Sequence, residues 1–432
     1  MENSEMIIEQ LSNEQETTWI NPHLESVTPG QRIRGLGFVE VRAAQARWMR
    51  FMPYLNKVFP ETRARKGIVE SDVIRIEQMQ AYMQQKNLAR TGSMYVKADY
   101  KLPIAGSVKA RGGVYEVLKL AEEIAQHAGM LHPTDDYGKL DSEAFRDLYG
   151  QYTIHAGSTG NLGISIGITA SKLGFHTVIH MSSDARTWKK ELLRQHGVEV
   201  REYAGDYSAA LASGREEAQR DERCYFIDDE NSKDLFMGYA TAGLRTKVQL
   251  FNMGISVDAA HPLFVYLPCG VGGAPGGITF GLKQMYGDHV HCFFVEPVKA
   301  PCMLLGLASG KGRDIQVADI GLTMDTIADG LAVGRPSGLV TNVASGMISG
   351  VMTVADETLL QFLRAYYRCE HDFLEPSACA GFQGAAMLCH SEAGQAYIRQ
   401  KGLESVMGQA THLIWATGGG LVPEDARSEY GI

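Results

Sequence analysis

The chain has 432 residues, of which 45% are hydrophobic and 21% charged, and a net charge of −9. That length exceeds one ordinary core and predicts two lobes, while the composition excludes a disordered or low-complexity protein. No basic run exceeds the cluster at 63–66, so nucleic acid is not an expected partner.

Seven scattered cysteines without C-x-x-C spacing fit reduced thiols in a cytoplasmic protein. The first thirty residues hold six glutamates and neither Lys nor Arg, the reverse of a signal or transit peptide. An uncharged run over 262–282 is long enough to raise the question of a membrane span. Its six glycines and three prolines predict strand, loop and helix instead, and so a soluble chain.

In chain order, helical periodicity runs over 39–59 with an interruption at Pro53, then over 76–85, and 93–100 alternates like a strand. Next comes "GSVKARGG" (106–113), where Ser107 reads as an N-cap and Val108 as the first helical residue. Lys109 then falls in the first turn, at the positive end of the helix dipole, where an amine is biased toward its neutral, nucleophilic form. A surface lysine in a poor position is the bland alternative, and an amine that forms a Schiff base the sharper one. Residues 124–150 are polar and turn-rich, as in an insertion or boundary. A strand–loop–helix–strand unit follows over 152–181, then helix 185–197 and strand 198–203. A second such unit runs from "LFVYLP" (263–268) through a glycine loop and helix 278–287 to strand 290–297, and a last strand, "THLIWAT", enters "GGG". The alternation predicts an α/β fold of two lobes built on open, mostly parallel twisted sheets.

Such sheets bind ligands at the carboxyl ends of their strands, where three loops carry suitable chemistry. "HAGSTGNLG" (155–163) gathers the N–H groups and side chains of Ser158, Thr159, Gly160 and Asn161 before a helix, a seat for a carboxylate or simply a helix cap. In "CGVGGAPGGI", Gly270, Val271, Gly272 and Gly273 let the backbone curl around a phosphate, without the Lys-Ser/Thr ending of a P-loop. "WATGGG" offers the Thr417 hydroxyl at a strand end. In "EPSACAG", ordinary capping by Ser377 with Glu375 nearby competes with a hard-cation site at Glu375.

A lysine, an anion loop, a glycine cradle and a strand-end hydroxyl, in that order, resemble the fold type II pyridoxal-phosphate enzymes of the serine and threonine dehydratase and tryptophan synthase β group. Further stretches, "YVKADYKLPIAGSVKARGGVYEVLKLAE", "MSSDARTWKKELLRQHGVEV", "DDENSKDLFMGYA", "TIADGLAV" and "IWATGGGLVPEDA", are similar to the D-serine dehydratase family, from about residue 15 to the end. Val108 stands where an isoleucine or phenylalanine is common in relatives, a conservative difference.

The resemblance implies pyridoxal phosphate bound to Lys109 and β-elimination of D-serine to pyruvate and ammonia, with D-threonine giving 2-oxobutanoate. It implies that Ser158–Asn161 take the substrate carboxylate, with Asn161 also beside the cofactor's 3′ oxygen. Gly270–Gly273 would take the phosphate and Thr417 the pyridine nitrogen. Lys109, Thr159 and Asp229 stay open as the base at Cα. Potassium at Glu375 and a monomer are further implications. The expected lobes are 1–119 with 236–432 for the cofactor, and 120–235 for the carboxylate loop. Rival readings are another fold type II lyase or racemase, such as a threonine or L-serine dehydratase, and a phosphometabolite-binding regulator without chemistry.

Overall fold

The computed structural model describes residues 2–89, 91–158, 160–204 and 207–432. Its strands, in chain order, are β1 (Thr18–Ile20), β2 (Val73–Arg75), β3 (Ser93–Lys97), β4 (Thr153–Gly157), β5 (His176–Ser182), β6 (Glu199–Tyr203), β7 (Cys224–Ile227), β8 (Leu263–Pro268), β9 (Val290–Pro297), β10 (Gly350–Val354) and β11 (Thr411–Trp415). They are divided between two compact units. One comprises Met1–Val41, Ser71–Lys101 and Tyr239–Ile432, the other Arg42–Glu70 and Leu102–Gly238. The second unit thus takes in more chain than 120–235, including Lys109.

In the first unit a seven-stranded sheet has the order β1-β10-β9-β8-β11-β3-β2. Its middle strands are parallel, and the three-residue edge strands β1 and β2 are antiparallel. β8 (LFVYLP) and β9 (VHCFFVEP) are buried along their whole length, as central parallel strands covered on both faces must be. In the second unit four parallel strands run β6-β5-β4-β7. β6 closes an edge with charge: Arg201 pairs with Glu199 at 2.6 Å and Glu217 at 3.0 Å, which discourages pairing with another chain.

Three local expectations change. Helix Phe38–Val58 runs through Pro53 without a break; Pro53 is exposed, so the Met49 carbonyl that loses its N–H partner lies on the solvent side of the helix. The stretch 124–150 holds the end of helix Tyr115–His127 and a further helix, Glu143–Tyr149. Tyr149 is buried there and stacks on Phe175 at 4.8 Å, so this largely exposed segment is anchored to the core. The helix expected from 278 begins at Gly273, after Gly272 in the left-handed region (φ 106°). Pro275 in its first turn lacks an N–H that would have no partner within the helix. Among the described residues, no helix is long and apolar enough to cross a membrane.

Candidate active site

In the second unit, Lys109 (φ −64°, ψ −22°) opens a single π turn, Ala110–Val114, that continues into helix Tyr115–His127. Ser107 does not cap this helix with its side chain. Its carbonyl accepts from Ala110 N at 3.1 Å, while its buried Oγ has no hydrogen-bond partner in the protein. A buried hydroxyl left this way costs about 1–3 kcal/mol unless a ligand takes it. Gly113 lets the π turn lie against helix Asn161–Leu173: a Cβ there would stand 2.1 Å from Ser165 Oγ. Two residues after Lys109, the buried Arg111 forms a forked pair with Glu70, Nη2 to Oε1 at 2.5 Å and Nη1 to Oε2 at 3.2 Å.

β4 and β7 are parallel neighbours with Ala156 opposite Ile227, so Ser158 and Asp229 leave adjacent strands at the same carboxyl end. Gly160 N donates to Ser158 Oγ at 3.2 Å, and helix Asn161–Leu173 starts with Gly160 at its N-cap and no side-chain cap. The absence of a side-chain cap on this helix start favours the anion-seat reading. Thr159 lies outside the described residues. Buried Lys189 brings its Nζ to 4.0 Å of where a Gly160 Cβ would stand, placing a cation beside this loop.

Desolvation raises the Asp229 carboxyl to about 6, with Asp228 and Glu230 adding to the rise and the positive Lys109 opposing it. The Asp229 loop is tied down by Glu116 of the helix that Lys109 opens. Glu116 accepts from Ser232 Oγ at 2.7 Å and Tyr225 OH at 3.1 Å, and burial lifts its own pKa to about 8. Strand register thus sets the Ser158 loop and Asp229 at one sheet end, and Glu116 ties the helix that Lys109 opens to the residues on either side of Asp229.

In the first unit, four segments meet at the carboxyl ends of β8 and β11. A Cβ on Gly270 would touch Leu331 Cα at 3.1 Å and Gly330 O at 3.4 Å. Gly330 N donates to Ser377 Oγ at 3.2 Å, and Glu375 N donates to Gly418 O at 3.1 Å. Ser377 therefore anchors the Gly330 loop instead of capping, and Glu375 is the N-cap residue of the short helix Pro376–Cys379. Gly419 (φ 125°) leaves no room for a side chain, since its Cβ would stand 2.6 Å from Glu375 N. Thr417 is buried at the end of β11, whose Trp415 is locked by its Nε1 donating to Asp99 Oδ2 at 2.7 Å. Helix Gly273–Tyr286 likewise begins without a side-chain cap, at a left-handed Gly272 whose Cβ would clash with Met303 Cε at 2.3 Å.

In the first unit the uncapped glycine helix start suits a phosphate, and in the second a lysine opening a helix beside a buried hydroxyl lacking a partner suits an aldehyde. The family model for pyridoxal-phosphate dependent enzymes matches residues 73–397. The chain belongs to this family. It is 50% identical to a protein described as a probable D-serine dehydratase from Desulfitobacterium hafniense, over 98% of this chain and 96% of that protein. It is also 51% identical to the D-serine dehydratase of Yersinia enterocolitica, over 98% and 96%. Among solved structures, a diaminopropionate ammonia lyase from Escherichia coli aligns at TM-score 0.72, covering 96% of each chain at 18% identity. A threonine deaminase from Solanum lycopersicum aligns at 0.60, covering 95% and 93%, also at 18% identity. These two carry the fold, the expected fold type II architecture.

Of the residues singled out in the sequence, Lys109, Ser158, Gly160, Asn161 and Asp229 lie in the second unit. Gly270, Val271, Gly272, Gly273, Glu375 and Thr417 lie in the first. Sequence reasoning missed Glu70, Glu116 and Lys189. Glu70 precedes Ser71 in an unremarkable loop and its partner is 41 residues away, so no local pattern marks it. Lys189 carried a faint signal, because it shares the buried face of helix Thr187–Gln195 with Leu193.

Proposed function

We propose that the protein is a D-serine ammonia-lyase that releases pyruvate and ammonia from D-serine and 2-oxobutanoate from D-threonine. The observation that carries this is the strand register that sets the Ser158 loop beside an elevated Asp229, in the unit that also holds Lys109, in a chain half identical to D-serine dehydratases over nearly its full length. An Escherichia coli diaminopropionate ammonia lyase solved with D-serine supports the same substrate class.

When bound, pyridoxal phosphate supplies an electrophilic carbon and an electron sink. Lys109 is the amine that holds it covalently, and Gly270–Gly273 with the helix start behind them take its phosphate. Ser158, Gly160 and Asn161 orient the substrate carboxylate with N–H groups, hydroxyl and amide, and Lys189 adds positive charge beside them. Asp229 holds the role of base at Cα better than Lys109 does, because its raised pKa leaves it ionised yet basic near neutral pH. Glu375 is proposed to bind potassium, tested by comparing turnover in potassium and sodium buffers for wild type and Glu375→Ala. Seven free cysteines support a cytoplasmic location, and the protein is proposed to act as a monomer.

The deciding assay is release of 2-oxo acid from D-serine, L-serine and D-threonine before and after removal of the cofactor. Turnover of the D substrates, lost on stripping and restored by pyridoxal phosphate, is expected. A preference for L-serine would move the chain to a sister activity.

Below about pH 6 the Asp229 carboxylate takes up its proton, so kcat/KM should fall as pH drops through that value. Asp229→Asn should lower kcat by roughly 100-fold or more and erase this acid limb. An unchanged limb would hand the role to another group.

Thr417 governs reaction choice. A hydroxyl cannot keep a pyridine nitrogen protonated as a carboxylate would, which weakens the electron sink and disfavours transamination. Thr417→Asp should therefore raise transamination or inactivation relative to elimination. Product analysis showing the same partition as wild type would remove this role.

A further inference from the structure

A cavity of ≈ 350 Å³ lies within the first unit at the amino ends of β8 and β9, opposite the strand ends that carry the glycine loop. Pro262 and His289, the residues just before those strands, form part of its wall. So does Lys283, only 2% exposed, in the last turn of helix Gly273–Tyr286. Burying an ammonium is costly unless it is paired and hydrogen-bonded. Yet among the described residues its ion-pair partner is Asp288, whose Oδ1 stands at 3.8 Å, beyond hydrogen-bond distance.

The acidic groups of the wall are already engaged. Asp288 accepts from Ser26 Oγ at 2.5 Å and Val27 N at 3.0 Å. Asp258 accepts from His261 Nδ1 at 2.8 Å and from the N–H groups of Ala260 and His261. A second cation, the exposed Lys401, completes the same wall. The local field is positive: His291 is pushed down to about 3 by burial first, then by Lys283 and Lys401, ahead of the opposing pull of Asp288. Neutral His291, bonded to Tyr397 OH at 2.7 Å, lines the cavity as a polar group without charge.

We propose that this cavity is a binding site for a small oxyanion, a phosphate or a carboxylate, held by Lys283 and Lys401. It is separate from the reaction chemistry and stands whether or not the chain acts on D-serine. Lys283 and Gly273 lie on one helix ten residues apart, about 15 Å at 1.5 Å per residue, so the two ends of that helix carry two different anion seats.

Calorimetric titration of the cofactor-loaded protein tests this, because loading fills the cofactor's own phosphate seat. Inorganic phosphate and pyruvate are titrated separately. Saturable binding of one equivalent is expected, weakened at least tenfold by Lys283→Met and severalfold by Lys401→Ala, an exposed residue whose removal leaves the fold intact. Binding of phosphate alone that Lys283→Met weakens assigns a phosphate site, and binding of pyruvate that Lys283→Met weakens assigns a carboxylate site; pyruvate heat unchanged in that variant belongs to the Ser158–Asn161 loop and counts against the proposal. No saturable heat with either anion, or equal affinity in wild type and both variants, overturns the proposal.

Discussion

Replacing Lys109 with Ala is expected to reduce 2-oxo acid release by on the order of a thousandfold or more, and to abolish covalent cofactor labelling after borohydride reduction. The geometry explains why another lysine should not substitute. Lys97 is buried with its Nζ donating to Ser71 O at 2.6 Å and Gln249 Oε1 at 2.8 Å, a structural cation inside the first unit. Lys189 sits beside the Ser158 loop. Lys109 opens a helix, where the dipole works against the protonated amine; Lys189 also lies in a first turn, that of Thr187–Gln195, but faces the Ser158 loop. The π turn that follows Lys109, with Gly113 close against Ser165 of helix Asn161–Leu173, fixes the backbone that carries it. Tryptic mapping of reduced wild-type protein should find the label on Lys109. A label elsewhere, or Lys109→Ala activity within tenfold of wild type, would reject the assignment.

The second large effect is on stability. Removing one partner of the Arg111–Glu70 pair should cost about 3–5 kcal/mol, because an uncompensated charge is left buried. Arg111→Met and Glu70→Gln are each expected to lower the midpoint of urea unfolding. The double variant should recover most of the loss, since no buried ion then remains. Because Arg111 lies inside the π turn, the single variants should also release pyridoxal phosphate more readily in dialysis. Unfolding midpoints close to wild type in both single variants would show the pair to be dispensable.

Much of this site was legible because its signals are local. A glycine loop at the end of an apolar strand, or S-T-G-N between strand and helix, states its backbone geometry in a few residues, and β8, β9 and β11 declare themselves as continuous apolar runs. Signals that depend on a distant partner were not legible. Ser107 has the residue type and position of an N-cap, but the π turn satisfies the backbone without it and leaves its hydroxyl buried. Ser377 was read the same way and instead receives Gly330 N, 47 residues away.

The sequence by itself determined the α/β class, the parallel core strands and the order of the loops. Each follows from periodicity or from the steric freedom of glycine within a short window. Only the tertiary structure decided that Lys109 belongs with Arg42–Glu70 and Leu102–Gly238, and that Asp229 stands beside the Ser158 loop with a pKa near 6. It likewise paired Arg111 with Glu70 and left Lys283 facing a cavity. These are matters of burial and of charge at close range, set by which strands and helices become neighbours, and residues far apart in the chain carry no local mark of that choice.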